Sequence, residues 1–352
     1  MDDYKKNHHK LLGNFYREDS LLKQKNNPNQ FIKLVFVEQF GFNHYFNNDI
    51  FTWIDILNEI GINGMRVFGF WPFGNGKEEE PYKRLRPFHY NLYQFNDGFF
   101  DYLKRWVAYA EEKGIVVLYE LFDSCAFWHN YAYHHSFYHL IGQKHPLFRL
   151  LEKWRYVRRL TLPIAFSNIY NHALISMQKL YIHKVMQTLR PYSNVIYGIM
   201  NEYKGKKDWH FVISHYVKEI APKILTSGSE ADSSSVRDPH VDIWFVHTGS
   251  YNFQQGQSNV AADIQKLRQR TGANKILGYS TDGFNERGIF RETPADMRRL
   301  AEDAKQAGIQ ILSFLDQKAY EIIHGGYQGK ASKLNVETYK AIVDIFQPTP
   351  LI

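Results

Sequence analysis

The stretch Ile50–Phe70, IFTWIDILNEIGINGMRVFGF, contains one complete helix-to-strand unit. Its first half, Ile50–Ile60, has apolar residues at helical spacing. Gly61 follows, and glycine adopts the left-handed backbone conformation with which many helices end. The second half, Ile62–Phe70, is a short apolar run typical of a strand buried on both faces. The stretch therefore predicts a helix that leads directly into a strand of a parallel sheet.

The same alternation recurs along the rest of the chain. Eight apolar runs are predicted strands: Phe31–Phe40, Ile62–Phe70, Ile115–Phe122, Val195–Asn201, Lys223–Gly228, Val241–His247, Lys275–Asp282 and Ile309–Asp316. Seven stretches are predicted helices: Ile50–Ile60, Gly98–Lys113, Ser167–Leu189, Lys207–Ile220, Val260–Thr271, Pro294–Ala307 and Val336–Phe346. Gly114 and Gly308 end their helices as Gly61 does. The helix after the fifth strand is predicted to be short or absent.

Strands that alternate with helices predict parallel pairing through right-handed crossovers. A closed barrel and an open doubly wound sheet both satisfy this pattern. No G-x-G-x-x-G follows the first strand and no P-loop sequence is present, which disfavours the nucleotide-binding open sheets. We therefore predict an α/β fold with one (β/α)₈ TIM barrel at 31–348, preceded by a polar N-terminal extension at 1–30. Long connections, Trp71–Asn96 and Asp123–Phe166, follow strands two and three, on the face where such barrels build their sites.

Composition restricts the class of protein. The 352 residues carry a net charge of +7, and the basic residues are scattered, so we expect no nucleic-acid partner. No apolar run is long enough to span a bilayer, so we expect no membrane partner. The single Cys125 excludes an internal disulfide. We expect a soluble protein, cytoplasmic or secreted without disulfides if a leader was removed, and its oligomeric state stays open.

Two carboxylates end predicted strands on opposite sides of the barrel. Strand four runs into Asn201-Glu202, and strand seven runs into Asp282-Gly283. In a barrel of eight strands, side chains ending the fourth and the seventh face each other across the mouth. Glycoside cleavage needs such a pair, one acid to protonate the leaving oxygen and one carboxylate to attack the sugar or activate water. Glu202 and Asp282 are therefore the candidate catalytic residues.

Other side chains follow strand ends and are candidates for binding substrate. Aromatic rings stack on the apolar faces of sugars, and four of them are placed for this role: Trp71, Trp128, Tyr203 and Tyr251. Three further acids, Glu120, Asp123 and Glu230, can bind sugar hydroxyls or tune a neighbouring pKa. The long third connection also contains His129, His134, His135 and His139, which leaves a metal site open as an alternative.

Three segments resemble one family. Gly61–Val67 (GINGMRV), Asn201-Glu202 and Tyr279–Phe284 are similar to strands two, four and seven of the clan A glycoside hydrolases, the cellulase-like barrels, in order and spacing over residues 31–320. The resemblance implies that Glu202 is the acid/base and that Asn201 holds the sugar 2-hydroxyl. It also implies that Arg66 hydrogen-bonds the nucleophile and that His247 lines the site. It implies no cofactor.

The chain departs from the family pattern at the nucleophile. Asp282 occupies the place of the usual Glu and is one methylene shorter, so the carboxyl gap could widen from the ~5 Å of a retaining enzyme toward the ~6.5–9.5 Å of an inverting one. We expect the retaining reaction, with Glu286 as the other candidate second carboxylate. The histidine that commonly ends strand three is Phe122 here, and the usual tryptophan is absent near Phe314–Asp316.

The leading hypothesis is a glycoside hydrolase acting on oligosaccharides or polysaccharides of β-linked glucan, mannan or a related sugar. A second hypothesis is a barrel that binds carbohydrate without cleaving it. A third is a metal-dependent barrel hydrolase that uses the cluster His129–His139.

Overall fold

The structure, a computed structural model, describes most of the chain. The described ranges are 15–24, 27–39, 49–69, 80–86, 89–124, 164–203, 207–229, 234–248, 260–272, 274–284, 294–316 and 330–347.

Eight parallel strands form a closed barrel. They are β4 (Leu34–Gln39), β5 (Gly64–Phe68), β8 (Val116–Glu120), β9 (Val195–Gly198), β10 (Thr226–Ser229), β11 (Ile243–Thr248), β12 (Ile276–Phe284) and β13 (Ile311–Asp316), and β13 pairs with β4 to close the ring. Each falls within or largely overlaps one of the eight predicted strands. The predicted (β/α)₈ barrel is therefore confirmed.

Helices follow the strands and cover the outside of the barrel. They are α1 (Asp49–Glu59), α2 (Asp97–Glu112), α3 (His172–Leu189), α4 (Lys207–Ile220), α5 (Val260–Thr271), α6 (Pro294–Gln306) and α7 (Lys330–Phe346). Between β10 and β11 the described residues contain a short 3₁₀ helix, Ser234–Arg237. This agrees with the prediction that the helix after the fifth strand is short or absent. Gly61, Gly114 and Gly308 have φ values of 84°, 69° and 67°, which confirms that they end helices in the left-handed conformation.

The core has two layers. Large apolar side chains, among them Trp53, Trp106 and Tyr181, fill the space between strands and helices. A smaller cluster, including Phe36 and Phe245, fills the barrel interior toward the amino-terminal ends of the strands. Toward the carboxyl ends the interior becomes polar, and the candidate site begins there.

Two small sheets flank the barrel, and sequence patterns did not predict either. Within the expected polar extension, β1 (Phe15–Glu18), β2 (Leu21–Gln24) and β3 (Asn27–Phe31) form an antiparallel sheet. Its residue Leu22 is fully buried, and its backbone exchanges hydrogen bonds with the side chain of Gln310 just before β13. This sheet therefore covers the amino-terminal end of the barrel.

The second sheet is a hairpin in the long connection after β5. It consists of β6 (Tyr82–Arg86) and β7 (His89–Phe95), which pair antiparallel.

Among the helices of the described ranges, none is long and apolar enough to cross a membrane.

Candidate active site

Arg66, in β5, is the centre of a buried charge network. Its side chain is fully buried, and its guanidinium Nη1 lies 2.9 Å from Glu38 Oε1. Nε and Nη2 contact Glu120 Oε1 at 2.7 and 2.6 Å, and Nη2 also donates to Asn201 Oδ1 at 2.9 Å. Burial lowers the pKa of Arg66, but the charges of Glu120 and Glu38 outweigh burial and raise it above its ordinary value. Arg66 is therefore a permanent cation that joins β4, β5, β8 and the end of β9.

Glu38, at the end of β4, connects this network to the other side of the barrel. The same Oε1 atom that faces Arg66 accepts hydrogen bonds from Ser313 Oγ in β13 at 2.6 Å and from Ser280 Oγ in β12. All three partners of this carboxylate are buried. Because buried carboxylates are stable only when paired and hydrogen-bonded, the two serines and the arginine fix Glu38 in one position.

Asn201 follows β9 and is held on both sides of its amide group. Its Oδ1 accepts from Arg66, and its Nδ2 donates to Asp123 Oδ1 at 2.9 Å. The backbones of Asp123 and Asn201 also form a parallel bridge, which continues the pairing of β8 and β9 past their ends. The structure thus brings together Arg66, Glu120, Asp123 and Asn201, four residues that the sequence named separately as site candidates.

Glu202, the predicted acid, lies one residue further at the mouth of the barrel and is partly exposed. Its φ of 46° places it in the left-handed region, which costs a residue other than glycine about 1–3 kcal/mol. Two serines stabilise that conformation. Ser229 Oγ, at the end of β10, accepts from the Glu202 backbone N–H at 2.9 Å, and Ser124 Oγ donates to the Glu202 carbonyl. The backbone on both sides of the Glu202 Cα is therefore held by neighbouring strand ends.

Tyr203 occupies a different environment from the one predicted. Its ring is 3% exposed and stacks on Trp209 with centroids 5.2 Å apart, and burial raises the pKa of its hydroxyl. The ring of Phe122 packs in the same aromatic cluster, with its centroid 5.8 Å from that of Trp209. The buried ring of Tyr203 is therefore not an open surface on which a sugar can stack.

For Asp282, the second predicted acid, the structure describes only the backbone. It lies in β12, two residues beyond Ser280, and Ser280 is the in-register partner of His247 in β11. The side chains of Asp282 and His247 lie outside the described part of the structure. Five further candidates lie entirely outside the described residues, backbone included: Trp71, Trp128, Glu230, Tyr251 and Glu286.

The histidine cluster His129–His139 also lies outside the described residues. Within the described ranges, no three or more His, Cys, Asp or Glu side chains are grouped closely enough to hold a metal ion. The metal-dependent hypothesis is therefore not supported by any described residue of the mouth.

Sequence reasoning missed five polar residues of the site: Glu38, Ser124, Ser229, Ser280 and Ser313. For Glu38 a signal was present, since it ends the apolar run Leu34–Val37 as Glu202 ends that of strand four. The serines carried no such signal, because serine at a strand end is common in any loop.

Comparison with known proteins finds solved structures that share this fold. No family model matches the chain, and no curated protein matches it. The endo-1,4-beta-mannanase of Rhizomucor miehei superposes with a TM-score of 0.59 at 10% identity, over 93% of this chain and 99% of that one. A glycoside hydrolase family 5 mannosidase of the same organism gives 0.61 at 13% identity, over 86% and 85% of the two chains.

A third solved structure is the hyperthermostable endo-1,4-beta-D-mannanase of Thermotoga petrophila. It superposes with a TM-score of 0.55 at 14% identity, over 81% of this chain and 88% of that one. The resemblance to the cellulase-like barrels is thereby confirmed for the fold.

Proposed function

We propose that this chain is a glycoside hydrolase that cleaves a β-linked mannan, glucan or related oligosaccharide with two carboxylates, Glu202 and Asp282. One observation carries the proposal. Glu202 stands partly exposed at the barrel mouth, its strained backbone held by two serines, directly after an asparagine that is fixed by a buried arginine. Strained backbone held by its surroundings is concentrated at functional sites.

Glu202 is the proposed general acid and base. A residue in this role must reach the glycosidic oxygen and exchange a proton with it, and a partly exposed carboxyl at the mouth can do both. The bonds from Ser229 and Ser124 hold its backbone, so little of the substrate's binding energy is needed to orient it.

Asp282 is the proposed second carboxylate, acting as nucleophile in a retaining reaction or as base in an inverting one. Its support is its position in β12, on the same end of the barrel as Glu202, together with the resemblance of Tyr279–Phe284 to the family's seventh strand. Glu286 is the alternative, two residues past the end of β12.

Arg66 is proposed as a positioning residue. The resemblance implied a bond from this arginine to the nucleophile, whereas the described partners of Arg66 are Glu38, Glu120 and Asn201. Since Asn201 is oriented by Arg66 on one side and Asp123 on the other, we propose that Arg66 acts through Asn201, which would contact the sugar beside the reacting carbon.

The substrate class rests on the neighbours and the aromatic content. The solved structures that superpose on this chain include mannanases and a mannosidase. Aromatic residues make up 16% of the chain, and Trp71, Trp128 and Tyr251 follow strands whose ends form the mouth. We propose that these rings, with His247 and Glu230, contact the sugar.

The test is hydrolysis of a panel of β-linked mannans, glucans and oligosaccharides by the wild type and by the Glu202→Gln and Asp282→Asn variants. General acid–base catalysis contributes about 10²–10⁴-fold, so each variant should lose at least about 100-fold in kcat while still binding sugar. Matched controls are Glu302→Gln and Asp101→Asn, at exposed positions on the outer helices α6 and α2. NMR of the first anomer released separates a retaining from an inverting reaction.

Two outcomes would contradict the proposal. Sugar binding by the wild type without turnover on any substrate would leave a carbohydrate-binding barrel. Turnover that a chelator abolishes and that survives Glu202→Gln would indicate the metal-dependent hydrolase.

A further inference from the structure

Two histidines touch on the outside of the barrel, at the end opposite the mouth. His215 is an exposed residue of α4, and His240 lies in the segment before β11. Nδ1 of His215 is 3.2 Å from Nε2 of His240. The residues come from separate elements, so this contact joins α4 to the amino-terminal end of a barrel strand.

A buried carboxylate determines which nitrogen of His240 carries the proton. His240 Nδ1 lies 3.2 Å from Asp238 Oδ1, and the His240 backbone N–H donates to the same oxygen at 2.9 Å. Oδ1 of Asp238 already accepts this backbone N–H, and Oδ2 accepts from Ser214 Oγ at 2.6 Å. Asp238 is therefore an acceptor, so Nδ1 of His240 holds the proton and Nε2 presents its lone pair toward His215.

The inclination of the rings shows that the hydrogen bond between these two nitrogens is bent rather than linear. A straight N–H···N bond of this length would hold the ring centroids about 5.4 Å apart, since each centroid lies roughly 1.1 Å behind its nitrogen. The observed centroids are only 4.8 Å apart, with the ring planes at 64°. The hydrogen bond is therefore bent, and both nitrogens face a third point to one side of the line that joins them.

That third point suits a metal ion. For metal–nitrogen bonds of about 2.0–2.1 Å, nitrogens 3.2 Å apart subtend an angle of roughly 100° at the metal. This angle lies between the octahedral and tetrahedral values. A carboxylate that binds the far nitrogen of a ligating histidine is also the usual support of such sites, because it fixes the ring and raises its basicity.

We propose that His215 and His240 form a binding site for a divalent transition metal of the Zn²⁺ or Cu²⁺ type, with Asp238 orienting His240. Imidazole suits these ions, and water completes the coordination. Cu²⁺ binds more tightly than Zn²⁺, following the general order of affinities for nitrogen ligands. The bound ion joins α4 to the segment before β11 and stabilises the fold by an amount that grows with the logarithm of the free-ion concentration above its Kd. The site is independent of the proposed glycosidase activity.

The experiment is calorimetric titration of the full, tag-free chain with Zn²⁺ and with Cu²⁺, for the wild type, His215→Ala and His240→Ala. Other residues of the chain can bind these ions, so the difference between variants is the measurement. Each variant should lose one equivalent of bound metal or bind it at least about 10-fold more weakly, and the rise in Tm that the metal causes should shrink with it. The control is His172→Ala, at an exposed position at the start of α3.

Because His215 is exposed, His215→Ala is expected to fold, and circular dichroism checks this before each titration. Equal stoichiometry and equal affinity in the wild type and His215→Ala would overturn the proposal, even if the chain binds metal elsewhere.

Discussion

Gly198, in β9, lies directly against the carboxylate of Glu120, in β8: a Cβ on residue 198 would stand 2.0 Å from Glu120 Oε2. The two residues are in-register partners of neighbouring strands. A side chain at 198 would therefore occupy the space that Glu120 needs to reach Arg66.

Gly198→Ala should accordingly destabilise the protein by about 3 kcal/mol, through overpacking and displacement of a buried ion-pair partner. Urea denaturation measures the change. The matched test is a double-mutant cycle with Glu120→Ala, since the alanine at 198 should do little harm once the colliding carboxylate is gone. If Gly198→Ala lowers the free energy of unfolding equally in the wild type and in Glu120→Ala, the close approach to Glu120 is not the reason for glycine at this position.

Arg66→Met should be among the most destabilising single substitutions at the mouth. It leaves Glu38 and Glu120 buried without their shared cation, and removing one partner of a buried ion pair costs about 3–5 kcal/mol. Arg66→Lys should lose less, because it keeps a charge, but an ammonium cannot reproduce the planar fork that serves three acceptors. Arg298→Met, at an exposed position on α6, is the control. Denaturant midpoints that agree for all three variants would contradict this.

Ser229→Ala should lower kcat about 10-fold while leaving KM nearly unchanged, if the proposed function holds. The substitution removes the acceptor of the Glu202 backbone N–H, so the acid would leave its productive position more often. Ser124→Ala should act in the same direction through the Glu202 carbonyl.

Ser227→Ala is the matched control for these two variants. Ser227 is buried in the same strand as Ser229, and its hydroxyl has no hydrogen-bond partner within the described residues. Its removal should therefore leave kcat unchanged and stability equal or slightly higher. Steady-state kinetics on the best substrate compares the three serine variants. A fall in kcat in Ser227→Ala as large as that in Ser229→Ala would argue that the serines do not act by positioning the Glu202 backbone.

Lys275, at the amino-terminal end of β12, should make stability depend on alkaline pH. Burial, followed by the charge of Arg17, lowers its pKa from 10.5 to about 8 in the folded protein, although its ammonium donates to the carbonyls of Asp238 and Val241. Between these two values the unfolded chain binds more protons than the folded one, so the contribution of this group to stability rises with pH.

The wild type should therefore gain stability relative to Lys275→Met as the pH rises from about 8 to 10.5, and the difference should be constant below that window. Thermal unfolding at several pH values measures it. Lys340→Met, at an exposed position on α7, should show no such trend relative to the wild type. A difference that stays flat through the window would show that Lys275 titrates normally.

The elements of the barrel could be predicted because their causes are local. Buried parallel strands are continuous apolar runs, amphipathic helices repeat every 3.6 residues, and the glycines that end helices precede strands at a fixed spacing. Val260–Thr271 was predicted with the bounds that the structure gives, and Asn201-Glu202 was correctly placed at the end of the fourth strand. The small sheet Phe15–Phe31 escaped prediction, because its strands are short and polar and are stabilised by packing against the barrel end.

Sequence alone thus determined the (β/α)₈ architecture and the strand ends on which charged side chains would meet. Only the tertiary structure decided which of them pair, joining Arg66 to Glu38, Glu120 and Asn201 across up to 135 residues of chain. It also placed serines of three other strands beside Glu38 and Glu202. The physical reason is that helix and strand formation depends on neighbours a few residues away, whereas a buried charge is stabilised by whichever partners barrel closure brings within hydrogen-bonding distance.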